Sequence, residues 1–227
     1  MAADRPFCIA GVVAGDQERE PFILGIRQAM FWLAQAACAP PQIALTFSPE
    51  LAPPSPERPI DMAMISFIGA ASAGAGDLDA VMGRWRERIE AFTTASDAPL
   101  FLCTVFRHIA SPGGPLGRDG VMAQRERIRR INLLIAELSQ STGAFVIDID
   151  SALAHIGGAR LGADYLLQGR AAGAAAGDVI ASALLAEGLE GRVASAGLAK
   201  ALTLHGGRKG VLARLNQMTA GALDGAA

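Results

Sequence analysis

Four short stretches of this chain carry side chains able to do chemistry: Gly15-Asp16-Gln17, Arg107-His108, Asp148-Ile149-Asp150 and Asp164-Tyr165. His108 is the natural acid–base candidate, because an imidazole titrates near neutrality. Paired with Asp148, Asp150 or Asp164, it would activate the hydroxyl of Ser72 or Ser48 as a nucleophile. Arg107 beside it would clamp an anion. The plainer alternative is a polar strand end bonded to neighbouring loops.

Other constellations point away from cofactor chemistry. Gly69 to Gly76 could cradle a phosphate, but a phosphate loop closes on Gly-Lys-Ser/Thr and this one closes on Gly76-Asp77. A tight turn is the expected reading. Gly11 and Gly15 do not make a dinucleotide fingerprint. Asp148 and Asp150 could hold a divalent cation between paired oxygens. Capping the short helix that follows is the commoner use of such a residue. His155 and His205 stand alone and are expected to be structural. No metal and no cofactor are expected.

These residues need a frame, and hydrophobic patterning supplies one. Apolar runs at Phe7–Val13, Gln42–Phe47, Ile60–Ile68, Leu100–Val105 and Ala144–Asp150 read as strands buried on both faces. Between them lie amphipathic helical patterns. Pro21 suits a first helical turn, and Phe22, Ile26, Met30 and Leu33 then recur at three and four. Asp77 is placed to cap a helix striped by Leu78, Val81, Trp85, Ile89 and Phe92. A third helix, Val121 to Gln140, turns Met122, Ile128, Ile131, Leu134, Ile135 and Leu138 inward and Arg125, Arg127, Arg129 and Arg130 outward. Five prolines between Ser48 and Pro59 exclude a helix there. Strands alternating with helices give an α/β class: a three-layer α/β/α sandwich on a five-stranded parallel sheet. Sites in such folds lie beyond the carboxyl ends of the strands, which is where the stretches above fall. Residues 1–187 make this body. Residues 188–227, rich in Ala and Gly, read as a helical appendage.

The strings Phe101-Leu-Cys-Thr-Val-Phe, Glu126-Arg-Ile-Arg-Arg-Ile-Asn132 and Phe145-Val-Ile-Asp-Ile-Asp resemble the later half of SGNH/GDSL hydrolases. The resemblance covers roughly residues 7–187 and implies a flavodoxin-like fold and an ancestry among esterases. It also implies a catalytic set, which is degenerate here. Where the family has Gly-Asp-Ser after strand one, this chain has Gly15-Asp16-Gln17. Where it has Gly-x-Asn after strand three, this chain has Gly69-Ala70-Ala71. Where it has Asp-x-x-His before the last helix, this chain has Asp164-Tyr165-Leu166-Leu167. Asp16 and Asp164 match, and an aspartate in such a set orients rather than reacts. Gln17 cannot attack a carbonyl, and without a base or oxyanion donors ordinary serine-esterase chemistry is not expected.

Composition sets further limits. Of 227 residues, 51% are hydrophobic and 19% charged, with a net charge of −2 and no basic block, which argues against nucleic acid as a partner. So apolar a chain suggests a buried interface and a homo-oligomer. Cys8, Cys38 and Cys103 are odd in number and lack CxxC spacing, so neither a disulfide framework nor a zinc site is expected. No signal peptide and no uninterrupted apolar span are read, and a cytoplasmic location follows as the default. Three functions fit. One is a catalytically degenerate protein that binds a small-molecule or polysaccharide-related ligand, or a partner, through Gln17, Ser72 and Arg107. Another is an active hydrolase or acyltransferase on acylated sugars or polysaccharide with a relocated nucleophile. The last is a structural, oligomer-forming subunit.

Overall fold

A computed structural model of the chain describes residues 5–73, 77–109, 117–158 and 162–224. Of the turn-rich loop expected from Ser111 to Gly120, residues 111–116 lie outside the described residues, as do the glycines at 74 and 76, while Gly117 to Gly120 form the first turn of a helix rather than a loop.

The strands are β1 (Phe7–Val12), β2 (Ile43–Ser48), β3 (Met62–Ser66), β4 (Leu100–Cys103) and β5 (Phe145–Ile147). They form one parallel sheet in the order β2-β1-β3-β4-β5. The interior strands β3 and β4 are buried at every residue, as their unbroken apolar runs require. Each is shorter at its carboxyl end than the sequence suggests. The pairing stops at Ser66, Cys103 and Ile147, and the chain then turns into the rim.

The helices are α1 (Arg19–Gln35), α2 (Ile68–Ser72), α3 (Leu78–Ala95), α4 (Gly117–Thr142), α5 (Ile149–His155), α6 (Arg170–Ala183), α7 (Ser195–His205) and α8 (Gly207–Asp224). A π-helical turn, Leu184–Gly188, prolongs α6. Asp77 caps α3 by accepting the N–H groups of Asp79 and Ala80, and Asp148 caps α5 by accepting that of Ser151. α3 packs on α4, and α1 packs on α6 and α7.

Three expectations need correction. Gly69-Ala70-Ala71-Ser72 is the helix α2, not a loop: Ile68 and Ala71 are buried one turn apart. Met122 of α4 is exposed, and Val121 takes the inward position instead. Arg127 does not point outward; its Nε donates to the Ala70 carbonyl at 3.1 Å.

Alanine richness has a use within the chain. Helix α6 buries Ala172, Ala175, Ala176, Ile180 and Ala181. A Cβ on Gly25 of α1 would lie 2.5 Å from Ile180, and one on Gly177 would lie 2.8 Å from Leu24. Small residues on both faces therefore let α1 and α6 approach closely. Arg170–Gly188 is long and apolar enough to cross a membrane by length and composition, and it is mostly buried against the rest of this chain. Leu189, Leu198, Ala201 and Val211, from the last forty residues, belong to the same hydrophobic cluster as the sheet.

Candidate functional site

The carboxyl ends of β1, β3, β4 and β5 converge on a rim, and its centre is a residue the sequence reading passed over. Glu18 ends a single 3-10 turn, Asp16–Glu18, that leads into α1. Its side chain folds back under the β1 loop and is only 6% exposed. Oε1 accepts the N–H groups of Ala14 (3.0 Å) and Gly15 (3.2 Å). Oε2 accepts a short hydrogen bond from the Ser66 hydroxyl at the end of β3. The Gly69 N–H adds a weaker pull. Consecutive N–H groups converging in this way make an anion-binding nest, and here the anion is the chain's own carboxylate.

Burial pushes the Glu18 carboxyl above its ordinary value, and the Ser66 hydroxyl and backbone N–H groups only partly pull it back. Desolvation disfavours the charge, while hydrogen bonds to the charged form favour it. The cavity beside it is lined by Phe22, Ser66, Phe67, Cys103, Ile149 and Leu167, among others. It measures about 10 Å³, room for a single water at most. Burial also pushes the Cys103 thiol far up, so it is an inert core residue.

Close packing explains the shape. A Cβ on Gly69 would lie 2.3 Å from the Ala14 Cβ. Only glycine there lets the start of α2 press against the β1 loop.

The expected site residues divide into separate groups. Asp16 is exposed and pairs with Arg19 at 3.1 Å, one turn along. Gln17 is exposed and accepts from the Gln168 amide at 3.3 Å. Asp164 closes a turn by accepting the Leu166 N–H. The His108 carbonyl accepts the Tyr165 N–H at 2.8 Å. One loop, 162–169, thus touches both the Gln17 side chain and the His108 backbone. Among the described residues the half-buried His108 ring meets Phe106, with centroids 6.0 Å apart, and has no hydrogen-bond partner.

Arg107 is held by Asp150: its Nε lies 2.6 Å from one carboxylate oxygen, and its N–H donates to the other at 2.9 Å. Burial nevertheless leaves Asp150 above the ordinary aspartate value. The guanidinium remains half exposed and faces the rim. The Ser72 hydroxyl donates to the Ile68 carbonyl within α2, at 2.9 Å. The Ser48 hydroxyl accepts the Glu50 N–H. Neither serine has an imidazole partner among the described residues.

Two side chains of α4 hold the rim: Arg127 bonds the Ala70 carbonyl of α2, and Asn132 the segment after β4. Asn132 bonds both polar groups of the Val105 backbone, at 2.8 and 2.9 Å. No group of His, Cys, Asp and Glu among the described residues could hold a metal ion. A roomier apolar cavity, about 210 Å³, lies away from Glu18, between β5, α6 and α8.

Glu18 escaped the sequence reading because Asp16 to Glu20 looks like a solvated turn. The signal that could have found it is Gly15-x-x-Glu18, the spacing at which a glutamate reaches back to backbone N–H groups at a helix start.

No family model, no curated protein and no solved structure matches this chain.

Proposed function

We propose that this chain is an SGNH-like α/β/α protein without serine-esterase activity, which acts by binding a polar ligand or partner across its rim. The observation that carries the reading is Glu18. Ester hydrolysis needs backbone donors free to receive an oxyanion as it forms. The N–H groups of Ala14 and Gly15 are instead saturated by a resident carboxylate. Ser66, the hydroxyl bonded to Glu18, is itself buried, and position 17 is a glutamine. A negative carboxylate in the nest would also repel the negative charge of a tetrahedral intermediate.

What the rim offers outward is recognition chemistry. Gln17 and Gln168 present carboxamides and Arg107 a half-exposed guanidinium, and the half-buried His108 lies beside Arg107 in sequence. Such groups suit a hydroxyl-rich, polysaccharide-related ligand, with amides and a guanidinium to bond its oxygens.

Activity-based labelling tests the catalytic half of this reading. Incubation with a fluorophosphonate probe should leave every serine unlabelled, and short-chain p-nitrophenyl esters should turn over no faster than with heat-denatured protein. Stoichiometric labelling of one serine would overturn the proposal.

A further inference from the structure

We infer that the backbone nest at Ala14 and Gly15, with the Ser66 hydroxyl, is a carboxylate-binding site whose resident ligand is Glu18. The inference rests on the non-catalytic reading only in taking Glu18 as the natural occupant.

Three features define the ligand. The donors are two adjacent N–H groups and one hydroxyl, all directed at one carboxylate: Oε1 takes the two N–H groups and Oε2 takes Ser66. That matches a planar, two-oxygen anion. Among the described residues no arginine or lysine bonds Glu18, so no cation there favours a dianion such as sulfate or phosphate. The walls beyond the carboxylate are apolar, with Phe22, Phe67, Ile149 and Leu167 around a void of about 10 Å³. Removing the Glu18 side chain past Cβ would merge its own volume with that void. The product is a small pocket with polar donors at one end and hydrocarbon at the other. Its preferred occupant is a short monocarboxylate, formate or acetate, rather than chloride, sulfate or phosphate.

The placement of Glu18 gives the nest a tethered ligand. It sits four residues from Ala14, on a single 3-10 turn whose other members, Asp16 and Gln17, face solvent. A ligand attached to the same turn has a high effective concentration, so free carboxylates do not displace it from the intact chain.

Chemical rescue decides the matter. The variant Glu18→Ala should melt below the intact protein. Sodium formate or acetate should restore its Tm in a saturable way, by roughly 3–6 °C for each tenfold rise in concentration above the Kd. Sodium chloride at matched ionic strength should not, and neither the intact protein nor Glu18→Gln should respond to formate beyond its chloride control. If Glu18→Ala does not fold in chloride, refolding from urea is compared in formate and in chloride; recovery in formate alone supports the site. Equal behaviour in the two salts, whether the variant is folded in both or unfolded in both, overturns it. Serine labelling by the fluorophosphonate probe would instead overturn the non-catalytic reading, so the two failures are distinct.

Discussion

Two buried carboxylates, at different places in the fold, are kept in the core by different means. Glu18 lies under the rim, among backbone N–H groups and one serine hydroxyl. Asp178 lies on α6, where α7 and α8 return to the body, and its partners are charged or chargeable. Arg214 donates to both its oxygens, at 3.0 and 2.9 Å, and the His205 Nε2 is 3.2 Å away. Arg214 also donates to the His205 carbonyl and lies over the Trp32 ring. The exposures are alike, 6% for each, yet the outcomes differ in sign. Burial pushes both carboxyls up. At Asp178 the bonds from His205 and Arg214 outweigh it and hold the group below its ordinary value. At Glu18 dipoles alone do not, and the group stays raised. At Asp178 Arg214 and His205 together offset the desolvation; at Glu18 a nest of dipoles only softens it, and at Asp150 the single half-exposed Arg107 does not offset it either.

The difference predicts unequal consequences of mutation. Asp178→Ala should cost the most, about 3–5 kcal/mol in urea denaturation, because it leaves Arg214 and the wholly buried His205 facing each other without their anion. A loss under 1 kcal/mol would mean that α7 and α8 are held by their apolar contacts alone. Gly69→Ala should cost less, about 1–3 kcal/mol, since the clash with Ala14 forces a backbone shift. It should also move the Ala14 and Gly15 amide resonances, which Asp178→Ala should leave in place. Glu18→Gln should be the mildest, within about 1 kcal/mol at neutral pH. The amide oxygen still accepts from Ala14 and Gly15, and its NH2 can donate to the Ser66 oxygen.

Acid sharpens the contrast through opposite signs. Asp178 has a folded value below the ordinary aspartate value of 3.8, so its stabilisation is present above that value and is lost as pH falls through the folded one. Glu18 has a folded value above 4.5, so its contribution is fully present below 4.5 and is lost as pH rises through the folded value. On acidification from neutrality, the intact protein should gain relative to Glu18→Gln. At still lower pH it should lose its advantage over Asp178→Ala. Parallel pH–stability curves for all three proteins would contradict both assignments.

The contrast also shows what was legible in the sequence and what was not. The sheet and its covering helices could be read from unbroken apolar runs and three-and-four spacing, since these are direct traces of burial. The caps at Asp77 and Asp148 were legible too, because capping is local. The strand ends were less so: Phe67-Ile68 continues an apolar run, yet the chain leaves the sheet at Ser66 and α2 begins at Ile68, with its later carbonyls, Ala70 and Ala71, bonded by Arg127 and Gln124 of α4. Glu18 and Asp178 were missed for a shared reason. A charged residue in a polar turn, or a lone aspartate in an alanine-rich helix, looks solvated until its distant partners are known. Asp178 finds Arg214 thirty-six residues later, and Glu18 finds Ser66 forty-eight residues later. His205, solitary in the sequence, became one of three members of a cluster with Asp178 and Arg214 by the same folding.

Asn132 has a consequence for how the rim keeps time with its helix. With one side chain it supplies the donor and acceptor that another strand's peptide would offer Val105. Arg127, five residues earlier, grips helix α2 at the Ala70 carbonyl. Helix α4 is therefore a key with two teeth, cut at a fixed angular offset. Inserting one alanine between them would turn the second tooth by about 100° and free either helix α2 or the segment after β4. The helix could still form and still bury most of its face, but the two segments would no longer be set against each other.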